Sequence, residues 1–222
     1  MSAIANACYE VILPAFNAAR TIEAALHSVL AQTLPPDRII VADDGSTDDT
    51  ASIARSFGDR VTLVRQANLG PAAATDLALA HSRATLIAGM DADDIWFPTK
   101  AERQLGQLGG DDRLDGVFCH AVNFNHGEEP SADGPSRPLW GRSAMMIRRS
   151  IVDRIGPVHH ADTPRALGEM VRWLDSGRRL GARFSMMPDC LVGRRLIEGS
   201  LSHARDPKAL LPMLRARLKD RR

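Results

Sequence analysis

The sequence predicts an α/β protein with a mostly parallel, Rossmann-like sheet flanked by helices. Short apolar segments of strand character alternate with segments of helical periodicity along the first half of the chain. The run Arg38–Ala42 is apolar after its first residue, as in strands that are buried on both faces of a parallel sheet. Strands and helices in strict turn indicate parallel pairing with right-handed crossovers.

Strands and helices alternate from the start of the chain to about residue 110. The predicted strands are Tyr9–Leu13, which Pro14 is expected to stop, Arg38–Ala42, Arg60–Arg65 and Ala84–Ala88. Thr21 is a candidate N-cap for the first helix, since apolar residues recur at helical spacing after it. The second helix is expected over Thr47–Phe57. The third opens at Gly70 and Pro71, because proline suits the first turn of a helix.

The second half of the chain has a less regular pattern. Strands are predicted over Asp115–Phe124, Leu139–Arg148 and Arg183–Met187, and a helix over Pro164–Gly177 with Thr163 as a candidate cap. The Gly-, Pro- and Ser-rich segment Asn125–Pro138 predicts an exposed loop. Asp206–Arg222 predicts a basic amphipathic helix. Since no internal repeat or linker divides the chain, one domain is expected over residues 1–205, followed by the tail at 206–222.

Composition narrows the class of protein. The 222 residues are 44% hydrophobic and 25% charged, which is typical of a globular domain with a real core. The net charge of +1 gives no overall field that would attract nucleic acid. Three widely spaced cysteines favour a reducing compartment. Because we see neither a signal peptide nor a run of about 20 apolar residues, we expect a cytoplasmic protein, whose basic tail could contact a membrane surface.

Polar clusters follow each of the four predicted strands. They are Pro14–Asn17, Asp43–Ser46, Gln66–Gly70 and Asp91–Asp94. In open parallel sheets, ligands bind outside the carboxyl ends of the strands. Spacing alone therefore predicts a site of nucleotide size at this edge of the sheet.

The cluster Asp91-Ala-Asp93-Asp94 is the most informative of these. Three carboxylates within four residues repel one another, and a hard divalent cation such as Mg²⁺ or Mn²⁺ relieves that repulsion. Such ions commonly bind one or two carboxylates and complete their shell with substrate phosphates and water. The alternative is an acidic turn in which Asp94 caps the next helix.

A second acidic cluster, Asp43 to Asp49, has a partly structural explanation. Ser46 with Asp49 three residues later resembles a capping box, and acidic residues suit a helix N-terminus. That leaves Asp43 and Asp44, which precede the cap. Either carboxylate can accept hydrogen bonds from a base N–H or from ribose hydroxyls.

These motifs, in this order and spacing, closely resemble family 2 glycosyltransferases of the GT-A fold. The resemblance covers roughly Glu10 to Leu108. It implies a GT-A domain with a nucleotide-binding half at about 8–110, an acceptor half at about 111–205, and a divalent metal held by Asp91 and Asp93. It implies a nucleotide-diphosphate sugar, with UDP expected, as donor. The implied nucleotide-binding residues are Pro14, Phe16, Asn17, Asp43, Asp44, Asn68, Gly70, Asp91, Arg194 and Arg195.

A weaker resemblance continues into the second half. Gly168-Glu169 followed by Trp173 is similar to the family's acidic helix, which implies that Glu169 is the general base of an inverting transfer to an acceptor hydroxyl. Asp189–Gly199 is similar to the family's strand with a basic run, which implies that Arg194 and Arg195 meet the diphosphate. The acceptor class, whether glycan, lipid or peptide, is open.

The chain departs from the family pattern at three places. Thr75-Asp76 replaces the family's Arg-Asn, Met170 stands where a second acid is usual, and the histidine often found after the basic run is replaced near Glu198. A non-catalytic sugar-nucleotide-binding protein would tolerate these changes and is kept as the alternative. A surface ion pair with Arg172 is the alternative for Glu169. A Rossmann oxidoreductase is disfavoured because no glycine-rich turn follows the first strand.

Overall fold

The computed structural model describes residues 8–159 and 168–197. They form one sheet of parallel and antiparallel strands, with helices packed against it. The predicted tail, Thr163, Pro164 and Glu198 lie outside the described residues. The strands are β1 Tyr9–Ala15, β2 Arg38–Asp43, β3 Val61–Arg65, β4 Leu86–Gly89, β5 Ile95–Trp96, β6 Gly116–Asn125, β7 Ser136–Pro138, β8 Met146–Arg148 and β9 Phe184–Leu196. The helices are α1 Ile22–Leu30, α2 Thr50–Ser56, α3 Pro71–His81, α4 Lys100–Gly110, α5 Arg149–Ile155 and α6 Glu169–Arg179.

The first half of the sheet is parallel, as predicted. The strand order is β3-β2-β1-β4-β8-β6-β9-β5, with β7 paired to β6. β1 pairs in parallel with both β2 and β4, and β2 pairs in parallel with β3. Every residue of β1 is buried, which explains its apolar run. The carboxyl ends of these strands therefore meet at one edge of the sheet.

The second half of the sheet mixes both directions. β8 runs antiparallel to β4 and β6, and β5 runs antiparallel to β9, whereas β6 and β9 are parallel. The pairing of β5 with β9 places Ile95 opposite Gly193, so the end of β9 lies beside the segment that follows β4. Among the described residues, we find no helix with the length and apolar composition needed to cross a membrane.

Pro14 does not stop the first strand, contrary to our prediction. The carbonyl of Ile12 accepts from Met90 N on the β4 side, so Pro14, two residues on, also faces that side. β4 has ended at Gly89 by this point, and no partner there needs the N–H that proline lacks. β1 thus continues to Ala15, which pairs with Asp43 of β2.

One of two predicted helix caps has the predicted position. Thr21 is the N-cap residue of α1, but its hydroxyl donates to the carbonyl of Ala18 and makes no cap bond to the helix. The predicted cap at Ser46 is wrong, because α2 begins only at Thr50. The Asp48 carboxylate accepts from both the backbone N–H and the hydroxyl of Thr50, which holds residues 47–49 in a turn outside the helix.

Three further boundaries differ in the second half. β8 covers only three residues of the predicted strand Leu139–Arg148, because Arg142–Ala144 forms a 3-10 turn. β9 runs through Pro188 to Leu196, well beyond Met187. Its pairing with β6 is irregular between Phe118 and His120, where the bulging strand accommodates the proline. The predicted loop ends in the short strand β7.

Candidate active site

The loops after β1 and β2 are joined by short hydrogen bonds at the carboxyl edge of the sheet. The backbone N–H of Asn17 donates to Ser46 Oγ at 2.9 Å, and Asn17 Oδ1 accepts from Thr47 N at 2.9 Å. Asn17 has a φ of 47°, a left-handed conformation that asparagine tolerates better than most residues. Phe16 beside it is 46% exposed, so its ring is open to a ligand.

Asp43 and Asp44 are buried and organise this edge from within. Asp43 accepts from Ser46 N at 3.0 Å and from Arg65 Nε at 2.6 Å. Asp44 accepts from Gln66 Nε2, Leu69 N and Gly70 N at 2.8 to 2.9 Å. These bonds draw the turn before α3 onto the end of β2, which brings Asn68 and Gly70 to the predicted site. Direct contact of either carboxylate with a base stays a prediction.

The segment after β4 carries the acidic cluster, and Ser143 binds it at two points. Ser143 Oγ donates to Asp94 Oδ2 at 2.5 Å and accepts from Asp91 N at 3.0 Å. Asp94 also accepts from Arg195 N at 3.0 Å, so its carboxylate is engaged here and does not cap α4, which follows Thr99. Asp91 is 38% exposed at its side chain and forms an ion pair with Arg142.

Burial and repulsion from neighbouring carboxylates disfavour the charged forms of Asp93 and Asp94. Burial and then the negative charge of Asp91 raise the pKa of Asp93 to about 6. Burial and then the charges of Asp93 and Asp91 raise the pKa of Asp94 well above its ordinary value. A divalent cation would reverse this effect by favouring the ionised carboxylates.

The donor set fits a magnesium or manganese ion that is shared with a phosphate ligand. In the described part of the chain, no group of three or more His, Cys, Asp or Glu side chains surrounds one point. Asp91 and Asp93 would thus supply two carboxylates, and the rest of the shell would come from phosphate and water, as these ions commonly require.

The structure brings Arg194 and Arg195 of β9 to the same place. The positive charges of both arginines lower the pKa of Asp93, against the larger effect of its burial. Arg195 Nε donates to the carbonyl of Asp93 at 2.9 Å, and its guanidinium lies 4.5 Å from the ring centre of Phe124. Arg195 is therefore held inside the site as a structural partner. The contact of either arginine with a diphosphate remains a prediction.

Glu169 is the first residue of α6 and follows Gly168, whose φ of 104° turns the chain into the helix. Burial raises the pKa of Glu169, and the charge of Asp76 acts in the same direction. The positive charges of Arg172, His159 and Arg142 oppose this shift. The role of Glu169 as general base stays a prediction.

Sequence reasoning missed Arg142, Ser143 and the role of Asp76. Arg142 and Ser143 lay inside a predicted strand, and only their polarity before an apolar run marked them. The Asp76 carboxylate accepts from the backbone N–H groups of Val158 and His159, both at 2.8 Å. The departure at Thr75-Asp76 therefore fixes the segment after α5 close to Glu169. The hydroxyl of Thr75 donates to the carbonyl of Pro71.

The sequence profile of one family, described as Glycosyl transferase family 2, matches residues 10–159. The chain belongs to this family. The match includes all the strand-end clusters and the Arg142–Ala144 turn, whereas α6 and β9 lie beyond it.

Curated relatives of this family align with much of the chain. The succinoglycan biosynthesis protein ExoU of Rhizobium meliloti is 43% identical over 217 residues, covering 86% of this chain and 62% of ExoU. WfgD of Escherichia coli, a UDP-Glc:α-D-GlcNAc-diphosphoundecaprenol β-1,3-glucosyltransferase, is 37% identical over 100 residues, covering 44% of this chain and 40% of WfgD. The chain thus spans less than two thirds of either relative.

Solved structures of the family's fold superpose on most of the chain. TarS 1–349 of S. aureus in complex with UDP has a TM-score of 0.70 at 17% identity, covering 85% of this chain and 60% of TarS. Mannosyltransferase PcManGT of Pyrobaculum calidifontis, in complex with GDP-Man and Mn²⁺, has a TM-score of 0.70 at 21% identity, covering 87% and 58% of the two chains. The predicted GT-A fold is confirmed.

Proposed function

We propose that this protein transfers a sugar from a nucleotide-diphosphate donor, expected to be a UDP-sugar, to an acceptor hydroxyl with inversion and with the help of a divalent metal. The observation that carries the proposal is the acidic cluster at the end of β4, which Ser143 holds together and which Arg142 and Arg195 border. Family membership and the UDP or UDP-sugar named for TarS and WfgD support a UDP-linked donor.

The nucleotide is expected to bind along the carboxyl edge of β1, β2 and β3. Phe16 offers an exposed ring for stacking on the base. The turns fixed by Asp43 and Asp44 present backbone groups of residues 66–70 beside it. The Asp91 carboxylate, at the end of the adjacent strand β4, is then placed to accept from ribose hydroxyls or to bind the metal.

Asp91 and Asp93 would hold the metal. A divalent cation bound by these residues would supply charge stabilisation to the departing diphosphate. Asp93 fits this role, because burial and the charge of Asp91 disfavour its ionised form in the absence of a cation. Arg194 and Arg195 add fixed positive charge close to Asp93.

Glu169 is proposed as the general base. Its raised pKa, caused by burial, makes its carboxylate a better proton acceptor than an ordinary surface glutamate. In the transfer, the acceptor oxygen forms a bond to the anomeric carbon while the bond from that carbon to the diphosphate breaks. The hydroxyl proton passes to Glu169, and the nucleoside diphosphate leaves as an anion.

The second candidate is a non-catalytic sugar-nucleotide-binding protein of the same fold. It is favoured by Met170, which stands beside Glu169 where the family usually has a second acid. The two candidates share every feature of the nucleotide side of the site. They differ only in whether bound donor is turned over.

A direct experiment combines binding with turnover. The parent protein is titrated with UDP by calorimetry with and without Mn²⁺, and then incubated with a panel of UDP-sugars, scoring donor hydrolysis and transfer to a sugar linked to undecaprenyl diphosphate. We expect Mn²⁺-dependent UDP binding that Asp93→Ala abolishes while the circular dichroism spectrum is unchanged. Asp59→Ala, an exposed acid in the turn before β3, is the matched control.

The outcomes separate the two candidates. Mn²⁺-dependent binding with turnover supports the transferase. Mn²⁺-dependent binding without turnover on any donor supports the non-catalytic protein. Equal UDP affinity with and without metal would overturn the metal role proposed for Asp93.

A further inference from the structure

Arg142 occupies a space that β4 leaves open for it. Arg142 is 9% exposed, and its side chain packs against the end of the strand at Gly89. A Cβ atom at Gly89 would lie 2.5 Å from Arg142 Cγ and 2.8 Å from the Arg142 carbonyl oxygen. Any side chain at position 89 would thus force the arginine out. The position of the Arg142 side chain therefore depends on the glycine at position 89.

The guanidinium of Arg142 is incompletely satisfied in this position. Nη1 donates to the Asp91 carboxylate, whereas Nε is buried and has no hydrogen-bond partner among residues 8–159 and 168–197. Burying a charged donor without a partner costs free energy. A ligand that offers a further anionic acceptor would stabilise such a group. A diphosphate is an anion of that kind, and arginine binds phosphate oxygens well.

The backbone around Arg142 is fixed, so movement is confined to its side chain. Ser143 carbonyl accepts from Trp96 Nε1 at 2.9 Å, and Ala144 carbonyl accepts from Gln104 Nε2 at 2.8 Å. Gln104 is held in turn by the buried Lys100, whose Nζ donates to Gln104 Oε1 at 2.8 Å. The turn that carries Arg142 is thereby anchored to α4 and to β5.

We propose that Arg142 competes with the divalent cation for Asp91 and that the donor's diphosphate relieves this competition. The inference rests on the proposed metal-assisted function. Arg142 and a cation neutralise the same carboxylate, so each weakens the binding of the other. The diphosphate resolves the competition, because it supplies ligands to the metal and an acceptor to the released guanidinium. Cation and donor binding therefore become mutually dependent, as linkage requires.

The test compares Arg142→Met with Arg38→Met. Arg38 also pairs with a carboxylate, that of Glu10, and it lies where β2 begins, at the opposite edge of the sheet. Free Mn²⁺ is counted by electron paramagnetic resonance in titrations without nucleotide and with saturating UDP. Without nucleotide, we expect Arg142→Met to bind Mn²⁺ on the order of fivefold more tightly than the parent, the upper range for one partly exposed ion pair.

Two further titrations test whether the effect depends on the guanidinium of Arg142. With UDP present, the gain in Mn²⁺ affinity should shrink or reverse in Arg142→Met, because the lost guanidinium no longer holds the diphosphate. Arg142→Lys, which keeps the charge, should behave closer to the parent in both titrations. If Arg142→Met does not fold by circular dichroism, Arg142→Gln serves as the neutral variant.

Unchanged or weaker Mn²⁺ binding by the neutral variant without nucleotide would overturn the proposal, since it would make Arg142 a support for Asp91 and not a competitor. A similar gain in Arg38→Met would also overturn it, because the effect would then come from net charge alone. The absence of any Mn²⁺-dependent UDP binding in the parent would overturn the metal-assisted function itself.

Discussion

Ser143 and Asp94 are joined by a hydrogen bond of 2.5 Å in which the hydroxyl donates to a fully buried carboxylate. The same hydroxyl accepts from the backbone N–H of Asp91 at 3.0 Å. One side chain thus connects the turn before β8 to both ends of the acidic cluster. The shape of the cluster depends on a residue about fifty positions away in the sequence, which explains why local pattern did not reveal it.

Ser143→Ala is expected to destabilise the fold and the site together. The change leaves Asp91 N without its partner and removes one of the donors to Asp94. Losing a bond that leaves a buried polar group unsatisfied costs roughly 1–3 kcal/mol. Urea denaturation should report a loss of this size, whereas Ser56→Ala, on the exposed side of α2, should change the free energy of unfolding by under about 0.5 kcal/mol. Equal stability of the two variants would contradict the prediction.

Asp93 should make stability depend on pH when no divalent metal is present. Its pKa in the folded protein, about 6, is higher than the ordinary value of 3.8, so folding favours the protonated acid. The stability that this group contributes is fully present below pH 3.8 and is lost as the pH rises through about 6. In EDTA, Asp93→Asn should therefore gain stability relative to the parent between pH 4 and pH 7, by roughly 1–3 kcal/mol.

The control for this pH effect is Asp111→Asn. Asp111 pairs with Arg113, and that hydrogen bond lowers the pKa of Asp111 to about 2. Folding therefore favours the ionised form of Asp111, so Asp111→Asn should lose stability where Asp93→Asn gains it. A difference between Asp93→Asn and the parent that is constant across this pH range would show that Asp93 keeps its ordinary pKa in the folded protein.

Asp44 should be needed more for the nucleotide base than for the diphosphate. Its carboxylate accepts three hydrogen bonds from residues 66–70, on the side of the site away from Asp91. In Asp44→Asn the amide nitrogen cannot accept, so at least one of these donors loses its partner. Calorimetry should show that UDP affinity falls more than pyrophosphate affinity in Mn²⁺. Equal losses for both ligands would restrict Asp44 to a structural role.

The nucleotide side of the site was predictable from the sequence for a physical reason. Parallel strands buried on both faces are continuous apolar runs, and their carboxyl ends must meet at one edge of the sheet. Polar residues directly after such runs, such as Asp43 and Asp91, are therefore assigned to the same place without any knowledge of packing. The family resemblance then named the chemistry, and the profile match and the fold confirmed the family.

The acceptor side was less predictable because its elements depend on distant partners. β9 extends past Pro188 since β6 offers a long parallel partner, and a bulge absorbs the proline. The segment before β8 turns at Arg142 because Gly89 leaves room for the arginine, and because Trp96 and Gln104 donate hydrogen bonds to the two carbonyls that follow it. Neither contact leaves a periodic signal in the sequence.

Glu169 is the residue on which the catalytic proposal depends, and Glu169→Gln tests it. Glutamine keeps the size of the side chain but cannot take the acceptor's proton, so UDP-sugar affinity should be retained while transfer falls at least about a hundredfold. Asp175→Asn is the matched control on the same helix, since Asp175 pairs with Arg178 and should affect turnover little. In the parent, transfer should decline as the pH falls through the raised pKa of Glu169, because the protonated acid accepts nothing. Near-parent turnover of Glu169→Gln would remove Glu169 from the reaction and leave it as a helix-start residue, with Asp162, which lies outside the described residues, as the next acid to test.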